Sequence, residues 1–223
     1  MLWSPPPASW VLWIDEAVIA VNKPSGLRTL PDGYNPDAPH LKSLLEPIYG
    51  KVWIVHRLDK ETSGVIVLPR TAEAHRSLNT QFEQHTARKV YHALVRGTPE
   101  WEERSIDFPL CANGDRRHRT VADAQRGKPA LTHLRVLERF KAFALVEARP
   151  ETGRTHQIRC HLAALGYPLA GDALYGGEEP VPPLVSFALH AKSLSLKHPV
   201  SDKTLLLEAP YPNAYQIALE RLR

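Results

Sequence analysis

The chain has 223 residues, of which 43% are hydrophobic and 23% charged, with a formal net charge of +4. That balance excludes a disordered or low-complexity polymer, and no apolar run reaches membrane-spanning length. Two cysteines, Cys111 and Cys160, are too few for a disulfide framework, so a reduced, cytoplasmic setting is the expectation.

In chain order, Met1 to Ser9 is a Pro-rich extension without the basic and apolar regions of a signal peptide. Trp10 to Ile14 and Val18 to Asn22 read as short strands around an Asp15-Glu16 turn. Lys23-Pro24-Ser25-Gly26 is loop, and Leu30 to Pro39 is expected to be a long surface loop. His40 begins a short helix that is expected to stop near Pro47. Two apolar runs, Val52 to Val55 and Gly64 to Leu68, read as buried strands. Thr71 can cap a helix running to about Gln84. Arg88 to Val95 alternates as a strand does and ends at Gly97. Cys111 to Lys128 is polar, with an Asn113-Gly114 turn signal. Leu131 to Leu137 and Ala142 to Ala148 are strands, and Thr155 to Leu165 is a helix stopped by Gly166. Ala188 to Leu196 and Leu205 to Glu208 are strand-like, and Asn213 to Leu222 closes the chain as an amphipathic helix. The expected class is α+β, with a mixed, mostly antiparallel sheet and flanking helices, in one domain spanning residues 1–223.

Charge is unevenly distributed. Arg104 to Arg159 holds twelve Lys/Arg against six Asp/Glu. Such a segment is either a surface for a polyanion or a solvated basic face. A metal site lacks its spacing: His156 and His161 are five apart, and neither a His-Glu-x-x-His nor a Cys-x-x-Cys unit occurs. Glycine-rich phosphate loops and a Gly-x-Ser-x-Gly elbow are also missing, so no metal or nucleotide cofactor is expected.

Three segments carry polar residues suited to chemistry. Between the two apolar runs lies His56-Arg57-Leu58-Asp59-Lys60-Glu61-Thr62-Ser63-Gly64, either a polar hairpin loop or a site in which cations keep Asp59 ionised. Tyr91, in Lys89-Val90-Tyr91-His92-Ala93-Leu94-Val95, is either a core aromatic or a stacking platform for a base. Glu151-Thr152-Gly153-Arg154-Thr155-His156-Gln157-Ile158-Arg159 runs into a helix N-terminus. There Thr152 or Thr155 could cap, and Arg154 could bind an anion or pair with Asp59.

Together these blocks resemble the RluA-type pseudouridine synthases in order and spacing. Residues 56–64 match His-Arg-Leu-Asp-x-x-Thr-Ser-Gly throughout, and residues 89–97 and 151–163 match the second and third blocks. The match extends through Leu165-Gly166-x-Pro168-Leu169-x-Gly171-Asp172-x-Leu174-Tyr175-Gly176. Weaker echoes are Val21-Asn22-Lys23-Pro24-x-Gly26 and Leu189-His190-Ala191. The resemblance implies that uridine in rRNA or tRNA is isomerised to pseudouridine around a basic cleft, with no cofactor. It makes Asp59 the essential aspartate, Tyr91 the tyrosine that stacks on the target base, and Arg154 the partner of the aspartate. Ile158 packs on the base and Arg57 fills the stack left by a flipped nucleotide, with His56 beside it. Arg116, Arg117 and Arg119 are the candidate phosphate contacts. A monomer is the default expectation. The rival reading is a catalytically silent RNA-binding protein on the same fold.

Overall fold

A computed structural model describes residues 8–31, 33, 35, 37–177 and 180–223. Most of the N-terminal extension and part of the 30–39 loop lie outside the described residues. The chain forms two compact units, Met1–Arg88 with Ala191–Pro210, and Lys89–His190 with Tyr211–Arg223.

In the first unit, β1 (Val11–Ile14), β2 (Val18–Lys23) and β3 (Ser63–Pro69) pair antiparallel in that order. β2 and β3 are nearly continuous apolar runs, buried along almost their whole length. The helix α1 (Leu41–Tyr49) continues two residues past Pro47, beyond the expected stop, and Gly50 N–H closes it on the Glu46 carbonyl. Thr71 caps α2 (Ala72–Glu83) as expected, its hydroxyl accepting from Ala74 N–H.

Val52 to Val55 is not a strand. Among its backbone bonds is a single one to β3, from Trp53 N–H to the Pro69 carbonyl, and the His56 ring occupies the Val67 N–H that a ladder would need. A short apolar run carries no period that separates a strand from a buried irregular segment.

The second unit is built on β4 (Arg88–Arg96), β5 (Glu103–Ile106), β8 (Thr132–Arg139) and β9 (Phe143–Pro150), in the order β4-β9-β8-β5, all antiparallel. A separate two-stranded pair, β6 (Leu110–Cys111) and β7 (Val121–Ala122), joins the start of the polar 111–128 segment to its middle. Period-2 alternation sends side chains to two cores. On one face Ala93, Val95, Leu134, Val146 and Ala148 pack with Ile158 and Leu162 of α3 (Gln157–Ala164). On the other, Leu94 and Leu145 pack with Tyr215 and Leu219 of α4 (Asn213–Leu222). The chain leaves this unit within β10 (Leu189–Lys197), which pairs antiparallel with β11 (Thr204–Glu208). The α+β class with a mostly antiparallel sheet is as expected, with four α-helices among the described residues.

Candidate active site

In the first unit, Asp59 lies on an irregular loop that is anchored at nearly every residue. His56 stacks on Phe82 with centroids 4.4 Å apart, and its Nε2 accepts from Val67 N–H at 3.1 Å. That bond requires an unprotonated Nε2 and gives His56 a part in shaping the loop. Leu58 is buried, its carbonyl accepting from the Thr29 hydroxyl at 3.0 Å and its N–H donating back at 3.3 Å. The Asp59 carbonyl accepts from Thr62 N–H. The Lys60 carbonyl accepts from Lys23 Nζ and Gly26 N–H, and the Glu61 carbonyl from the Ser25 hydroxyl at 2.7 Å. Arg57 projects outward and is exposed, whereas Asp59 is half-buried.

Residues 22–29 are therefore the frame of this loop. From sequence, Lys23 to Gly26 is expected only as a loop and a weak echo of the family pattern, with no role in the site, and Leu27 to Thr29 carries no signal; Lys23 in fact closes β2. The signal was a lysine closing an apolar strand directly ahead of Pro-x-Gly. Lys23 is fully buried, and its Nζ donates to the carbonyls of Pro24, Leu27 and Lys60 at 2.7 to 3.1 Å. Burial pushes its pKa down to about 7, while the negative charges of Glu61 and Asp59 hold it up against that loss of solvent.

In the second unit, Tyr91 is half-buried against the core face that includes Ile158. Both readings of Tyr91 are thus compatible: the ring joins the core and keeps an exposed part. The Arg154 loop is organised by Gln157, which the sequence reading passed over. Its Oε1 accepts from Arg154 N–H at 3.0 Å and the Thr152 hydroxyl at 2.7 Å. Its amide donates to the Leu131 carbonyl and the Thr132 hydroxyl. Neither Thr152 nor Thr155 caps α3. The helix starts two residues later than expected, behind His156 in a left-handed conformation at φ 52°. The Arg154 guanidinium donates through Nε to the Pro129 carbonyl at 3.0 Å.

Behind this loop, Arg159 is buried in a bidentate pair with Asp172 at 2.7 and 2.9 Å, and it lies over the rings of Phe187 and Tyr175. The three arginines of the basic segment separate. Arg116 and Arg117 are exposed. Arg119 is half-buried, with Nε on Asp115 at 2.6 Å and Nη1 on the Leu174 carbonyl at 3.1 Å. Much of the local cationic excess is consumed the same way: Arg126 pairs with Asp123, Arg139 with Glu102, and Arg135 and Arg149 with Glu147.

The family model for RNA pseudouridylate synthase matches residues 17–164, which hold both loops. The chain belongs to that family. The resemblance to its RluA type is borne out by curated relatives. The ribosomal large subunit pseudouridine synthase D of Nitrosomonas europaea is 42% identical over 96% of this chain and 65% of its own length. The dual-specificity RNA pseudouridine synthase RluA of Salmonella typhi is 36% identical over 93% of this chain and 96% of its own. The chain spans less than two thirds of the length of the first of these. Among solved structures, human RNA pseudouridylate synthase domain containing 4 superposes with a TM-score of 0.77 at 26% identity, covering 95% of this chain and 92% of that one. No helix among the described residues of this family member is long and apolar enough to cross a membrane.

Proposed function

We propose that the chain is an RNA pseudouridine synthase that isomerises uridine in rRNA or tRNA in the cytoplasm, acting as a monomer with residues 1–223 forming one catalytic domain. The observation that carries this reading is the Asp59 loop: the family's aspartate stands half-buried on a segment whose neighbouring carbonyls are held by Lys23, Ser25, Gly26 and Thr29. A loop that only had to turn between buried segments needs no such frame, whereas a carboxylate that must meet a sugar or base in one orientation does.

The reaction balances within the substrate. The C1′–N1 bond breaks, the base turns, a C1′–C5 bond forms, and the C5 proton leaves as N1 regains one. Asp59 serves as the carboxylate, attacking the substrate or abstracting a sugar proton. Tyr91 stacks on the turning base and Ile158 packs against it. Arg154 supplies the cation that favours the ionised carboxylate, and the exposed Arg57 replaces the flipped nucleotide in the stack. Arg116 and Arg117 face the phosphates, and Arg119, paired with Asp115, holds the segment that presents them. His56 supports the same substrate-binding loop from beneath. The target classes come from the relatives, which are named for large-subunit rRNA and for dual specificity.

The test is tritium release to water from RNA labelled at uridine C5. Release that vanishes in Asp59→Asn supports the synthase. RNA binding without release from rRNA or tRNA would favour the silent RNA-binding reading instead.

A further inference from the structure

Lys89 stands two residues before Tyr91 on β4, so both side chains leave the same face of the strand. Its Nζ donates to the Thr152 carbonyl at 2.9 Å. It also lies close to Gly153, where a Cβ would sit 3.8 Å from the nitrogen. Thr152 and Gly153 lead directly into Arg154. The ammonium therefore stands between the strand that carries Tyr91 and the loop that carries Arg154, inside one compact unit.

An ammonium has three hydrogens to donate. Among the described residues one of them is used, by Thr152, and no carboxylate pairs with it. Burial alone pushes its pKa down to about 8, so most of the population is still charged at neutral pH. A half-desolvated cation without a counter-ion is costly, and an anion delivered by the ligand relieves that cost. RNA brings one phosphate with every nucleotide, and lysine is a compact point charge suited to it.

We propose that Lys89 binds a backbone phosphate beside the target nucleotide while its bond to Thr152 holds the Arg154 loop. The inference rests on the RNA reading above and deepens it, adding a substrate contact on the Tyr91 strand.

The experiment measures binding of ribosomal RNA by Asp59→Asn protein, so that turnover does not interfere, between about 50 and 200 mM salt. Lys89→Gln removes the charge yet keeps an N–H for the Thr152 carbonyl, and Lys89→Arg keeps the charge. In Lys89→Gln the affinity should fall about tenfold and the log–log salt slope should flatten by about 0.7–0.9, the loss of one phosphate contact. Lys89→Arg should keep the wild-type slope. An unchanged slope in Lys89→Gln overturns the proposal, whether or not turnover falls, and leaves Lys89 as a loop anchor. Wild-type tritium release is scored separately. If it is present while the Lys89→Gln slope is unchanged, only this inference fails. If wild type neither releases tritium nor binds, the synthase reading fails with it.

Discussion

The ammonium of Lys23 donates to the carbonyl of Lys60 at 3.1 Å and so holds the residue that follows Asp59. Two further carbonyls, of Pro24 and Leu27, complete its three bonds. Replacing Lys23 by Met strands the buried Leu27 carbonyl and removes the lysine donor from Pro24, while the Lys60 carbonyl keeps Gly26 N–H, so the expected loss is about 2–3 kcal/mol in a denaturant melt. The pH dependence has a definite sign. Burial pushes the folded pKa from 10.5 to about 7, so between those values the unfolded chain holds a proton that the folded chain has lost. Stability contributed through Lys23 therefore rises with pH above about 7, by up to about 1.4 kcal/mol per unit, and is flat below it. Melts at pH 7, 8 and 9 should show the gap between wild type and Lys23→Met widening. A constant gap would contradict the assignment.

Gly64 closes the family block, and the reason is steric. Its φ is +110°, and a Cβ there would meet the Ala191 carbonyl oxygen at 2.2 Å and the Ala191 nitrogen at 2.6 Å. Both contacts are backbone atoms, which a rotamer change cannot clear. Gly64→Ala should cost more than about 4 kcal/mol and deplete soluble protein. Gly50→Ala is the matched control: φ is +77° and nothing lies within 4 Å, so only backbone strain of about 1–2 kcal/mol is expected. Equal effects of the two substitutions would refute the steric account.

The contrast between these residues explains what could be read from sequence. The strand β8 is legible because one of its faces is a core, which imposes alternation, β4 and β9 because both of their faces meet a core and leave apolar runs of strand length, and Thr71 because capping is local. The order of the three blocks singles out Asp59, Tyr91 and Arg154 as candidates because a family pattern does not depend on periodicity. The roles of Lys23 and Gln157 were not visible, since a buried polar group is explained by its partners, and carbonyls at Lys60 or Leu131 lie tens of residues away. β5 was missed for a related reason: Glu103-Arg104-Ser105-Ile106 buries one side chain in four and has no apolar signature. The excess of arginine pointed to an RNA surface, but charge counting cannot tell a free arginine from one already spent on a carboxylate.

Arg159 and Asp172 form a deeply buried ion pair, with side chains 7% and 1% exposed. Removing Asp172 leaves Arg159 enclosed against the rings of Phe187 and Tyr175 without a counter-charge, and removing Arg159 leaves the Asp172 carboxylate buried without one. Arg159→Leu should therefore lower stability by about 3–5 kcal/mol, and Asp172→Leu by a similar amount. The double substitution should recover much of the loss, since two apolar side chains leave no stranded charge. A double-mutant cycle by urea denaturation reads this directly, and additive losses would show that the pair is not coupled.

Arg116, Arg117 and Arg119 carry the same charge but should respond differently. Arg119 is held by Asp115 and the Leu174 carbonyl and ties the 111–128 segment to the loop containing Tyr175, whose hydroxyl bonds Thr120 from both sides. Arg116 and Arg117 have exposed side chains with no ion-pair partner among the described residues. Arg116→Ala and Arg117→Ala should each leave thermal stability within about 0.5 kcal/mol of wild type and flatten the salt dependence of RNA binding by about one contact. Arg119→Ala should instead destabilise the protein by about 1–2 kcal/mol and weaken binding without a matching change in slope, because the segment that presents its neighbours loosens. A melt and a salt titration on the three variants separate these outcomes. A full slope change in Arg119→Ala, with stability intact, would move that arginine from anchor to phosphate contact.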